Sequence, residues 1–340
     1  MKRSTTTARL GRGALIAGLG LLLSAALTSS VQAGPSAFAT IVEPNGIAFR
    51  PGNQTGHGIL VSSPYNCGSI RGITSFNSAG VRTGFTKLPN QTSCPAEDYI
   101  AVSPAAIKGW PSKRVYVIQG ANIYEGKNTP LQFSSTPFLT LPAACEVTNS
   151  HNNLTFDKGG TFNRHMIVSC INYTEGKTRV YSVGPYKSPV AVLYATINAV
   201  VEGLEVAPKN FGPYGGCVFM TEDSAAGRIF AACPSGVTHV ASWPGAEAIR
   251  FVPTRKGKLP CHFKPSGQSF FQTDFAANKV FQWPAADFTG LGGKAVISSE
   301  LGAGIGILSP NGVVTPFVHS GASGDHHEGS TFIDFSKGCR

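Results

Sequence analysis

Two stretches of the chain repeat one another without a gap, and this repeat constrains the fold more than any other feature. Residues 218–231 read VFMTEDSAAGRIFA and residues 269–282 read SFFQTDFAANKVFQ. Phe219 aligns with Phe270, Asp223 with Asp274, Gly227 with Asn278, Arg228 with Lys279, Ile229 with Val280 and Phe230 with Phe281. Each copy reads as a strand, a polar turn built on an Asp, and a second strand opened by a cation and a β-branched residue. Looser copies begin at Gly58, Arg114 and His165. A second element, a short strand opened by a turn, precedes these hairpins: NGIAF at Asn45, DYIAV at Asp98, NLTFD at Asn153, GLEVA at Gly203 and AIRFV at Ala248, with GSTFI at Gly329 near the end. The period is about fifty residues, the size of a four-stranded propeller blade and too long for a leucine-rich or hexapeptide repeat.

The pattern therefore predicts an all-β fold, a β-propeller of six blades with four antiparallel strands each. The end of the chain should complete a blade begun by the N-terminus, because pairing the first and last strands removes an exposed sheet edge. Two packed β-sandwiches are the alternative, but they do not account for a repeat of this length. No segment beyond the N-terminus carries a helical period. The 40 glycines and 23 prolines suit short strands joined by tight turns.

Residues 1–33 read as a signal peptide. Lys2, Arg3, Arg9 and Arg12 form a basic start, Ala14 to Leu27 an apolar core too short to span a bilayer, and Val31-Gln32-Ala33 a cleavage site. Residues 34–340 are then a single propeller domain, secreted or periplasmic, with no membrane span once the signal is removed. Eight cysteines follow the signal: Cys67, Cys94, Cys145, Cys170, Cys217, Cys233, Cys261 and Cys339. An even count in an exported chain, with no CxxC pair, reads as disulfides rather than a zinc or redox site. Spacing alone does not choose among the 105 connectivities. Pairing of neighbours is attractive because Cys217 and Cys233 flank one hairpin, and a Cys261–Cys339 bridge would lock the closing blade.

The formal net charge is +10, and without the four cations of the signal it is +6. No run of like charge and no basic stripe with interleaved aromatics is present, so nucleic acid is not an expected partner. No P-loop, dinucleotide fingerprint or G-x-S-x-G elbow occurs, which leaves no nucleotide or organic cofactor and no conventional serine hydrolase.

Residues 203–231 resemble the blade unit of NHL-like six-bladed propellers. HEGSTFIDF, residues 327–335, is similar to the Glu-Gly-Pro-x-Trp opening of the gluconolactonase and regucalcin-like family, with Ser330 and Phe332 in place of the Pro and Trp. The resemblance implies that Glu328 is a metal ligand and that the protein is a hydrolase or lyase acting on a lactone, ester or sugar-derived substrate.

Independently, the residues that open the inner strands include Glu43, Glu97, Asp98, Asn152, Asn153, Glu202, Glu247 and Glu328. In a propeller these positions converge on one mouth of the central channel. Crowded carboxylates there require a cation, an arginine or protonation. Calcium, which takes several oxygen ligands in flexible geometry, suits such a set, and the expected metal ligands are Glu202, Glu247, Glu328 and Asn153. His327 and Glu328 are the expected catalytic pair, His327 as a base beside the cation. The expected ligand is a small molecule or a carbohydrate derivative, and the expected state a monomer. A non-catalytic propeller that binds a protein or glycan on its face is the competing reading.

Overall fold

The computed structural model describes residues 34–333 apart from residues 53–57, 93, 105–108, 143–144, 146–149, 255–268 and 318–325. Residues 1–33, expected to be a signal peptide, and Cys261 and Cys339 lie outside the described residues.

Six antiparallel sheets form a six-bladed propeller. Blade I comprises Ile47–Arg50, Gly58–Ser63, Gly72–Phe76 and Arg82–Lys87, from the axis outward. Blade II comprises Ile100–Val102, Val115–Gln119 and Asn122–Lys127, and its outer position is split between Gln132–Phe133 and Leu139–Thr140. Blade III comprises Leu154–Phe156, Met166–Asn172, Lys177–Gly184 and Val190–Ile197. Blade IV comprises Gly203–Val206, Val218–Thr221, Arg228–Cys233 and Gly236–Ser242. Blade V comprises Ala246–Phe251, Ala295–Ser299, Ile305–Leu308 and Val314–Pro316. Blade VI comprises His327–Ile333, Ser269–Asp274, Lys279–Trp283 and, outermost, Ser36–Thr40. The helix among the described residues is two short 3-10 turns, Gly212–Tyr214 and Ala285–Phe288. Each expected inner strand is one, and blade VI holds both the first and the last strand among the described residues.

The path between blades V and VI differs from the expected order. The hairpin after Ala246–Phe251 does not continue blade V. Residues 269–283 form the two middle strands of blade VI, the chain then returns to build blade V from Ala295 to Pro316, and it crosses again to supply the inner strand of blade VI. Nothing local distinguishes the two placements, because a middle hairpin meets the same demands in any blade. In both repeat copies the aligned turn residue has left-handed backbone, φ 52° at Gly227 and φ 54° at Asn278. In both, the first aromatic and the β-branched residue of the return strand are fully buried.

Strand alternation explains how the blades join. Val218 and Met220 pack with blade III residues, whereas Phe219 packs with blade V. In the next strand Phe230 and Ala232 face blade III, while Ile229 and Ala231 face blade V. Successive side chains point to opposite faces, so a strand buried on both faces needs an unbroken apolar run. Six hydrophobic clusters result, one at every junction from I–II around to VI–I. The core is therefore a ring of interfaces around the channel.

Among the described residues three disulfides are formed: Cys67–Cys94, Cys145–Cys170 and Cys217–Cys233, each joining sequence neighbours among the cysteines. They favour an extracellular or periplasmic protein. No helix among the described residues is long and apolar enough to cross a membrane.

Candidate functional site at the acidic mouth

Near the axis the inner strands approach so closely that side chains are excluded. A Cβ on Gly203 would lie 2.0 Å from Thr221 Oγ1 and 2.3 Å from the Glu247 carbonyl, and one on Gly329 would lie 2.3 Å from the Asn45 carbonyl. Glycine at these positions lets the inner strands of blades IV and VI reach the next blade. Hydrogen bonds then hold the neighbouring blade start. Thr221 Oγ1 donates to the Glu247 carbonyl at 2.5 Å, Asn153 Nδ2 to the Glu202 carbonyl at 2.9 Å, and Thr273 Oγ1 to the Asn45 carbonyl at 2.7 Å. The backbones carrying Glu202 and Glu247 are thus fixed by the preceding blade.

The result is a convergence of acids. Oxygens of Glu97, Glu247 and Glu328, from blades II, V and VI, all lie within 4.8 Å of one another. The three residues are 5%, 0% and 4% exposed. Each has a buried Oε2 without a hydrogen-bond partner. Three further groups adjoin this one at the same spacing: Glu97, His151 and Glu202; Glu300, His326 and Glu328; Asp223, Glu247 and Glu300. Six carboxyls and two imidazoles thus share one mouth of the channel. They come from the residues that open the inner strands and from the turns between second and third strands.

The internal pairing is incomplete. His151 Nδ1 lies 3.0 Å from Glu202 Oε1 and 3.7 Å from Glu97 Oε1. His326 Nε2 lies 2.5 Å from Glu300 Oε1 and 3.2 Å from Glu328 Oε1. Tyr99 donates its hydroxyl hydrogen to Glu247 Oε1 at 2.6 Å. Burial disfavours the charged imidazolium of His151, but the carboxylates of Glu97 and Glu202 outweigh it and raise its pKa to about 10. Burial, then the charges of Glu202 and Glu97, pushes Glu247 well above the carboxylate range. Burial and the adjacent Glu97 do the same to Glu328. Burial and a hydrogen bond shared with Glu300 raise Asp223 to about 8. Burial also opposes ionisation of Glu300, yet the hydrogen bonds from His326 and Asp223 prevail and hold it below its usual value. Glu300 and Asp223 are neighbouring carboxyls driven in opposite directions, an arrangement that separates a base from an acid.

Aromatic rings line this mouth. Tyr65 meets Phe275 and His151 edge-on, with ring centres 5.6 and 6.1 Å apart, and Tyr173 meets His151 at 5.9 Å. Phe275 also lies 5.3 Å from the His326 ring.

Of the residues expected from sequence, Glu247 and Glu328 fall in one group, and Glu202 adjoins that group through Glu97. Asn153 is buried beside them, but its amide is engaged: Nδ2 donates to Glu202 and Oδ1 accepts from Leu154 N at 2.7 Å. His327 is fully buried within blade VI, with Nδ1 3.9 Å from Asp274 Oδ2, and belongs to none of the four groups. Its neighbour His326 faces the acids instead, since successive residues of an extended chain point to opposite sides. Glu43 is spent on the turn between the second and third strands of blade I, accepting from Asn66 N and Nδ2 at 2.9 and 2.8 Å. Asp98 is buried against Arg71 and Gln119, and burial raises it to about 7.

His151, Asp223, Glu300 and the aromatic rim were not expected from sequence. His151 directly precedes the Asn152-Asn153 blade start and was legible there. Asp223 occupies the Asp position of the repeat, where Asp274 instead accepts from Ala277 N within its own turn. No positional rule marks Glu300.

No known protein family and no curated protein matches the chain. Among solved structures, a chain from the crystal structure of a nidogen/laminin complex matches with a TM-score of 0.51 and 10% identity over 86% of this chain and 85% of that one. An exo-β-1,3-galactanase from Phanerochaete chrysosporium matches with a TM-score of 0.45 and 9% identity, over 86% of this chain and 71% of that one. A candidate 6-phosphogluconolactonase from Bacteroides fragilis matches with a TM-score of 0.41 and 10% identity, over 86% and 88%. At these identities the likeness is one of fold.

Proposed function

We propose that this chain is an exported, cation-dependent hydrolase working at the acidic mouth of its propeller, on a lactone, ester or other sugar-derived substrate. The observation that carries the reading is the Glu97, Glu247 and Glu328 trio, with three buried oxygens that no protein donor satisfies. Two oxygens bound to one calcium at about 2.3–2.6 Å lie at most about 5 Å apart, so the observed spacing fits a shared hard cation. Glu202 and Glu300 stand at the edge of that set as further carboxylate donors.

When bound, calcium supplies a Lewis acid that polarises an oxygen of the substrate. The chain's own residues do the rest. His326, 2.5 Å from Glu300, is placed to carry a proton between that carboxylate and the mouth. This role passes to His326 from His327, which is enclosed within blade VI. Tyr65, Tyr173 and Phe275 offer ring faces and edges at the rim, which suits the apolar faces of a sugar ring.

The test pairs metal analysis with activity on gluconolactone and p-nitrophenyl acetate. The expected result is a stoichiometric cation, loss of hydrolysis in EDTA, recovery with calcium, and an inactive Glu328→Gln that no longer retains the metal. A metal-free protein whose melting is unaffected by EDTA or calcium would overturn the reading and favour the non-catalytic platform.

A further inference from the structure

The same six inner strands that open on the acids end on a surface of different character. A cavity of about 410 Å³ lies at their far ends and is lined from all six blades. Its walls are largely apolar, with Phe49, Phe156, Phe251 and Phe332 contributed by blades I, III, V and VI. The volume lies within the range of about 300–1,000 Å³ typical of small-molecule sites, and an apolar cup with a few placed polar groups is their usual composition.

The charges in the lining are of one predominant sign. Its cations are Lys113, Lys158 and Arg250, and its one acid is Glu205. Glu205 is already engaged, accepting from Thr155 Oγ1 at 3.2 Å and lying 3.9 Å from Arg250 Nε. Arg250 is spent on stitching blades together: its Nε donates to the Ser330 carbonyl at 2.7 Å and its Nη1 to the Leu204 carbonyl at 3.0 Å. Lys113 and Lys158 therefore remain as an excess of positive charge beside an apolar cup. The backbone of Lys113 is held in place: its N donates to the Ser103 carbonyl at 3.0 Å and its carbonyl accepts from Arg50 Nε at 3.0 Å.

The geometry points to a second binding site at this mouth, for a small amphiphilic anion whose apolar body fills the phenylalanine cup and whose carboxylate or other anionic head meets Lys113 and Lys158. The site is independent of the acidic mouth and of any cation held there. The opposite end of the channel gathers six carboxyls, so the two ends differ in the groups they present to a ligand.

Isothermal titration with sodium octanoate tests this, with octanamide as the uncharged counterpart. Octanoate is expected to bind the wild type at one site. The double variant Lys113→Asn, Lys158→Gln should weaken octanoate by about tenfold or more, because hydrogen bonds to charged groups are lost, and should leave octanamide unchanged. Asn suits the left-handed backbone of Lys113, φ 61°, so the variant keeps its turn. Thr331→Phe, which fills the cavity, should block both ligands, and Glu328→Gln should alter neither. Absence of saturable octanoate binding to the wild type at millimolar concentration overturns the proposal. So does binding that survives unchanged in both the double variant and Thr331→Phe.

Discussion

Glu247 and Glu328 are carboxyls that the fold prefers to keep protonated, and this has a definite consequence for stability against pH. Their folded pKa values lie above the unfolded value near about 4.3, so their contribution is fully present below that pH and is lost as pH rises through the folded values. Asp223, raised to about 8, has the same sign, and its contribution is gone above that pH. His151, raised to about 10, contributes below about 6.5 and loses its part only towards pH 10. Glu300, held low, has the opposite sign, but its window closes below about pH 4.3. Metal-free protein should therefore melt at progressively lower temperature between pH 5 and 8.5. Calcium should raise the midpoint strongly at pH 8.5 and little at pH 5, where Glu247, Glu328 and Asp223 hold their protons. Scanning calorimetry across that range in EDTA and in calcium checks this; a metal-free midpoint that rises with pH contradicts it.

At the scale of the element, the middle hairpin of blade IV shows how a local segment is secured. Val218–Thr221 and Arg228–Cys233 are paired in register from Val218–Ala232 to Thr221–Ile229. Cys217 and Cys233 close the open end of this hairpin, with Cα atoms 4.5 Å apart and a sequence separation of 16. Cross-linking a loop of that length restricts the unfolded chain by about 3 kcal/mol. Replacing both cysteines by alanine should lower unfolding stability by about 2–4 kcal/mol in a urea titration, while leaving the strand signal in circular dichroism unchanged. An unaltered midpoint would mean that the hairpin is held by its apolar contacts with blades III and V alone.

At the scale of the whole molecule, closure depends on an exchange of strands. Blade VI takes its outer strand from the start of the described chain and its inner strand from the end, and its middle hairpin is inserted between the strands of blade V. Blades V, VI and I are thereby tied by the path of the chain as well as by packing. Phe38, on the outer strand, bridges the junction of VI and I, with its ring 4.8 Å from Phe271 and 6.3 Å from Phe76. Phe38→Ala should destabilise the protein by about 2 kcal/mol, less than a fully buried phenylalanine because the strand is partly exposed. Removing Ser36–Thr40 altogether should expose the edge of Lys279–Trp283 and promote self-association, which size-exclusion chromatography would detect. A monomer with wild-type stability would show that closure does not need this strand.

Periodicity at about fifty residues, apolar runs at Val218–Thr221 and Arg228–Cys233, and glycine or asparagine at turn positions such as Gly227 and Asn278 are local properties, and they determined the blade count and every inner strand. Recurrent acids before those strands likewise announced one acidic mouth, because a radial repeat carries equivalent positions to one axis. Which blade a hairpin joins was not local. The segment 269–283 satisfies the middle of blade V or VI equally well, and only closure of the ring assigned it to VI. The site divides in the same way. Glu202, Glu247 and Glu328 converge by repeat symmetry, but the exclusion of His327 in favour of His326 depends on the side to which each residue of the closing strand points. Asp223 sits at a repeat position whose counterpart Asp274 turns into its own loop, and His151 precedes a blade start, so their recruitment, like that of Glu300, depends on how each loop folds over the mouth. The far mouth was invisible in the sequence: Lys158 lies two residues from Phe156, but Lys113, Phe49, Phe251 and Phe332 are remote from both, and only closing six strands around one channel brings that charge beside that apolar cup.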